Sequence, residues 1–192
     1  PLTDNGHKLA TAMSVRYLHA AKVLHQNSPV PNAFWEPLNH LFAMSAELAL
    51  KAFLESAGAT EKELKAPSVR HSLNGLLLLA IGRGLRTSQD VADVLTEMDE
   101  AHSSHSYRYI PRPGEAETIS VYSAHPAVAF AAIQRLLDHC SADPEELRVL
   151  TKFRLDWPPA SLPVHPVTSS DVEVLIAEKK RLRAFVAKRA NA

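Results

Sequence analysis

The densest collection of reactive groups in this chain is HSSHSYRYIPRP, residues 102–113. His102 and His105 stand three apart, Arg108 lies between Tyr107 and Tyr109, and Arg112 sits between two prolines. A guanidinium grips phosphate through two parallel hydrogen bonds, and a tyrosine ring stacks on a base. Tyr107, Arg108, Tyr109 and Arg112 are therefore the candidate contacts for a nucleotide or RNA. An imidazole gives or takes a proton near neutral pH, which makes His102, His105 and the more distant His71 candidates for acid and base, with Arg108 holding the phosphate. The same segment has a plainer structural reading. YRYI and TISVYS alternate partly across a Pro/Gly connection, which predicts a short β-hairpin or an extended excursion with the tyrosines packed inward. The His pair also suits the negative end of a helix.

Other groupings carry less chemistry. Asp90, Asp93, Glu97 and Glu100 run along one side of a helix, where carboxylates could take a hard cation but are expected to form a solvent-facing row. His139 beside Cys140 suggests a base and a nucleophile, yet helix neighbours point about 100° apart and do not meet. His7, His19 and His25 share no face, so no metal centre is expected from them. The chain has one cysteine, which excludes an internal disulfide and a multi-thiolate zinc site and suits a reducing cytoplasm. There is no glycine-rich phosphate loop and no internal repeat, and no cofactor is expected.

The elements that must position these groups read as helices. Leu38, Leu41, Phe42, Ala49, Ala52 and Phe53 recur at three-and-four spacing, with Glu36, His40, Glu47, Lys51 and Glu55 expected on a solvated opposite face. Glu47 and Lys51 form an i,i+4 pair in the favourable order. Gly58 should close this helix. Ser72 then caps a helix whose core, Leu76 to Ile81, is apolar all round and so belongs between other helices, although it is far too short to cross a bilayer.

The chain opens with a helix capped at Asp4 or Asn5 and bearing Leu9, Ala12, Met13, Tyr17, Ala20, Ala21 and Leu24, stopped by the prolines at 29 and 31. Thr87 or Ser88 begins a helix striped by Val91, Val94, Leu95 and Met98. Pro126 begins another that carries Val128, Phe130, Ala132, Ile133, Leu136 and Leu137, and Asp143 precedes a shorter one. PPASLPVHP reads as a stiff connector. Ser170 to Glu173 gives a capping-box pattern for a final helix with a basic end. That arm is expected either to dock on a second subunit or to lie against an acidic surface such as the Asp90 to Glu100 row, with nucleic acid as the sharper alternative for its basic residues.

The fold expected is all-α: an up-and-down helical bundle over residues 1–157, with a short hairpin, followed by a connector and helical arm over 158–192. Lysine plus arginine equals aspartate plus glutamate, 21 each, so no overall field recruits nucleic acid. PLTDNGHKLA lacks the basic-then-apolar pattern of a secretion signal, and Pro1 predicts that the true start lies upstream.

ELALKAFLESAG, a short charged connection, HSLNGLLLLA and then Tyr107-Arg108-Tyr109 together resemble the HEPN superfamily of bacterial helical bundles, over about residues 10 to 140. Arg70-His71-Ser72-Leu73 stands where many such proteins carry a Gly-His-Asp-Leu-like motif, without its Gly and Asp. Catalytic members share an Arg followed after about four to six residues by a His and cut RNA without metal. No Arg here has a His at that spacing, Arg135 and His139 being one residue too close. The resemblance implies a non-catalytic bundle that recognises a nucleotide, RNA or partner protein and pairs as a homodimer. Its alternative is a metal-independent ribonuclease with Arg and His supplied by separate segments. Neither version implies a membrane.

Overall fold

The structure is a computed structural model that describes residues 6–30, 33–106, 125–140, 142–152 and 165–190. Among these the chain forms eight helices and no strand. They are α1 (Gly6–Gln26), α2 (Trp35–Ser56), α3 (Glu61–Leu64), α4 (Leu73–Gly82), α5 (Gln89–Ser103), α6 (Pro126–His139), α7 (Pro144–Thr151) and α8 (Ser169–Ala190). The all-α bundle expected from the periodicity is what forms. The predicted hairpin falls in 107–124, and most of the proline-rich connector in 153–164, outside the described residues.

α1 and α2 are an antiparallel pair held close by small residues. Ser14 Oγ donates to the Ser45 carbonyl at 2.7 Å and Ser45 Oγ returns the bond to the Ser14 carbonyl at 2.9 Å, so two buried hydroxyls are satisfied where the helices touch. The buried residues of α1 are Ala12, Ser14, Val15, Leu18 and Ala21, whereas Leu9, expected in the stripe, is 62% exposed. Close approach selects the small side chains for the inside and turns the larger ones outward.

α2 is central, packing against α1, α4, α5 and α6. Phe42 of α2 meets Phe130 of α6 edge to face, ring centres 4.7 Å apart. Gly58 ends α2 at φ +78°, the left-handed conformation that glycine adopts without steric cost. Its N–H bonds the Glu55 carbonyl and the next N–H bonds that of Leu54. Ser72 Oγ accepts from the Gly75 N–H at 3.0 Å and caps α4, as its position in the sequence suggested. Gly75 is required for another reason: a Cβ there would sit 2.0 Å from the Ser68 carbonyl oxygen, so the 64–70 turn can close over α4 only on a bare backbone. Leu73, Leu76, Leu77 and Ala80 are fully buried, consistent with a helix set among α2, α5 and α8.

α8 packs along α4 and α5. Its cap is Thr168 rather than the expected Ser170: Thr168 N–H donates to Asp171 Oδ2 and the Asp171 N–H donates to Thr168 Oγ1. The reciprocal box forms two residues early because Val167 N–H is already tied to the Thr87 carbonyl at 2.9 Å, which fixes where the chain turns. The α5 acids remain partly exposed, Glu100 at 66% of its side chain, but among the described residues three of the four also carry ion pairs, and α8 lies against the row as one of the expected placements of the arm. Lys179 bonds Glu97, Arg183 bonds Glu100 at 2.7 Å, and Arg135 of α6 pairs with Asp90. Arg183 also donates to the Thr96 and Glu97 carbonyls. Among the described residues no helix is long and apolar enough to cross a membrane.

Candidate functional site

Glu47 departs most from its expected setting. The helical spacing predicts the wet side of α2 for it, but only 4% of it is exposed, and Lys51, predicted on the same side, has a largely covered side chain. The expected i,i+4 pair does form, with Lys51 Nζ 2.6 Å from Glu47 Oε1. What the helical wheel does not reveal is that α4 and α5 cover this face. His102, in the last turn of α5 and also buried, brings its Nε2 to 2.5 Å from Glu47 Oε2. His71, just before the Ser72 cap, has its Nδ1 3.5 Å from Glu47 Oε1.

Burial pushes the Glu47 carboxyl up, but hydrogen bonds from His102 and Lys51, reinforced by their charges, reverse this and hold it at about 2. The carboxylate is therefore ionised and can only accept. The nearer imidazole bond then requires a proton on His102 Nε2, which fixes that ring's tautomer and plane.

His105 completes the group. It is the residue after the C-cap of α5, with its N–H bonded to the His102 carbonyl and the Ser106 N–H bonded to that of Ala101. That is the helix ending glycine normally makes, yet His105 occupies it at φ +60°. A side chain in this left-handed conformation costs about 1–2 kcal/mol. Its effect is to set the His105 ring edge to face against His71, centres 5.4 Å apart. His40, two turns before Glu47 on α2, places its ring 6.4 Å from that of His102.

Of the three histidines that the sequence offers as acid and base, His102 and His71 thus approach one carboxylate on α2, and His105 packs against His71. His102 is too deep to touch a ligand, whereas His71 is 35% exposed along its side chain and forms the rim with His105. Tyr107, Arg108, Tyr109 and Arg112 lie outside the described residues, although Ser106, next to His105, leads directly into them. The sequence reading missed Glu47, Lys51 and His40 as members of the site. A carboxylate two turns beyond a histidine on the same helix was the available signal.

Asp99, one turn before His102, accepts from Ser72 Oγ, the Asn74 N–H and Asn74 Nδ2 at 2.9–3.0 Å, locking the start of α4 to α5 beside the cluster. Among the described residues no group of three or more His, Cys, Asp or Glu side chains is arranged to hold a metal. His139 and Cys140 form no dyad: His139 Nδ1 is 3.0 Å from Thr87 Oγ1, and burial pushes the Cys140 thiol up to about 12. A separate cavity of about 260 Å³ between α1, α2 and α7 has Cys140 in its wall and the Lys8–Glu146 pair at its edge, and it holds none of the candidate residues.

Comparison with family models, with curated proteins and with solved structures found no match to this chain.

Two predictions follow from the geometry. Glu47 is held at about 2 against an ordinary 4.5, so its contribution is complete above 4.5 and is lost as pH falls toward 2. Denaturant unfolding should show on the order of 3 kcal/mol of stability lost between about pH 5 and pH 2, a loss absent from Glu47→Gln. His105→Gly should relieve the backbone strain and raise unfolding stability by about 1 kcal/mol while removing the rim imidazole. Calorimetry showing a lower melting temperature instead would mean that the ring contact outweighs the strain.

Proposed function

We propose that this chain is a HEPN-like bundle that binds rather than cuts, taking the phosphate of an RNA or nucleotide at the rim formed by His71 and His105. The observation that carries the reading is the meeting of the partly exposed His71 and His105 imidazoles beside the buried Glu47–His102 pair. One buried carboxylate is already matched by Lys51 and His102, which leaves the partly exposed His71 and His105 imidazoles as the groups a second anion could meet. A phosphate fits that arrangement. Arg108 follows His105 closely in the chain, and Tyr107 and Tyr109 supply ring faces for a base. A homodimer and a protein partner belong to the same reading, as does action in a reducing cytoplasm.

Metal-independent RNA cleavage is the second reading, favoured by one observation. The His71 and His105 rings meet edge to face from separate segments, which brings together two imidazoles, one to act as base toward the attacking 2′-hydroxyl and one as acid toward the leaving oxygen. The missing Arg-to-His spacing argues for binding.

Labelled single-stranded RNA in a chelator separates the two. The expected result is retention of intact RNA by the wild type, weakened roughly tenfold or more in His71→Ala, His105→Ala and Arg108→Ala, as for a lost charge-assisted contact of about 1.5–3 kcal/mol. Cleavage that disappears in these variants would replace binding with the nuclease reading. No retention, or retention unchanged by all three, would overturn the site.

A further inference from the structure

α8 presents two faces about 120° apart around its axis. The inner one, Val172, Ile176, Lys179 and Arg183, meets the bundle. The outer one, Glu178, Leu182, Phe185 and Arg189, steps by four, three and four residues, the spacing of a helix-pairing seam. All four side chains are exposed, Leu182 at 57% and Phe185 at 56%, with Val186 at 38% beside them. The Arg189 guanidinium lies 5.3 Å from the centre of the Phe185 ring, which keeps its charge on this face.

The order of these four residues is complementary to itself in reverse. Running antiparallel against an identical helix, an acid at one end of the seam meets a base at the other end of its neighbour. Leu182 meets Phe185, and the two-fold axis repeats each contact. Aligning Glu178 with Arg189 places Leu182 opposite Phe185 with no further adjustment, since both pairs share a centre midway between residues 183 and 184.

We propose that the outer face of α8 is a homodimer interface, pairing antiparallel with the α8 of a second copy of this chain in the register Glu178 to Arg189 and Leu182 to Phe185. It gives a surface to the homodimer of the proposed function and rests on that part of the reading alone, so its failure leaves the imidazole site untouched. Its partner is chosen by charge: the seam alone carries one acid and one base, whereas an RNA or an anionic surface would meet Glu178 as a repulsive group. A contact one helix wide over about three turns is small, so the dimer dissociates in the micromolar range.

The test is sedimentation equilibrium on the full chain from about 1 to 300 μM, with far-UV circular dichroism as the folding control; the substituted residues are exposed, so the fold should persist. The wild type should dimerise. Glu178→Arg and Arg189→Glu, each of which opposes like charges at both ends of the seam, should each weaken dimerisation tenfold or more. The double variant Glu178→Arg/Arg189→Glu should restore it to within a few fold, which a merely structural effect would not do. A wild type that is monomeric throughout, including one whose α8 instead captures RNA, overturns the proposal. So does a dimer indifferent to the single reversals, or one that the double variant fails to restore.

Discussion

A carboxylate inside a helical bundle must be neutralised or paired, and the arrangement of three helices here follows from how Glu47 meets that requirement. Desolvating a charge costs several kcal/mol, more than the exposed i,i+4 pair with Lys51 could return. His102 supplies the remainder from α5, and His71 approaches from the turn that opens α4. The same contacts that satisfy the charge fix the relative positions of α2, α4 and α5. Asp99 repeats this on a smaller scale by accepting three hydrogen bonds from the first residues of α4. Folding and the placing of the imidazoles are in this sense linked, because His102, which satisfies the buried acid, lies in the same end of α5 that delivers His105 to His71.

The periphery is built by different means. α8 is fastened by a capping box and by cations set over the acids of α5, contacts that solvent and salt weaken. Its outer stripe of Leu182 and Phe185 is left uncovered by the bundle, while its inner residue Val172 is fully buried. The left-handed His105 shows a third kind of compromise, a backbone cost accepted at a position where glycine would fit and where the ring instead meets His71.

Much of the bundle was legible in the sequence because its causes are local. Ser72 before an apolar run, Gly58 after a periodic one, Pro126 in a first turn and the Val91, Val94, Leu95, Met98 stripe each act within a few residues, and each does what its chemistry suggests. The failures share the opposite property. The α8 cap moved to Thr168 because Thr87, far away in the chain, holds Val167. Glu47 read as a surface residue because an i,i+4 ion pair looks the same in sequence whether a helix is wet or covered. The α5 row was open to a basic arm in the sequence, but which acids take cations was not, since the partners come from α6 and α8. Of the candidate site, the histidines were legible as types and their convergence was not, since it depends on where α4 and α5 cross α2.

The most direct measurement of the central claim is the state of the His102 ring by proton–nitrogen NMR. A buried, ionised Glu47 predicts a proton fixed on Nε2, strongly shifted downfield and slow to exchange with water, and a resonance that disappears or moves sharply in Glu47→Gln. A His102 ring carrying its neutral-form proton on Nδ1, or one whose Nε2 proton exchanges as fast as that of an exposed imidazole, would contradict the account, for the carboxylate would then not be what holds the three helices together.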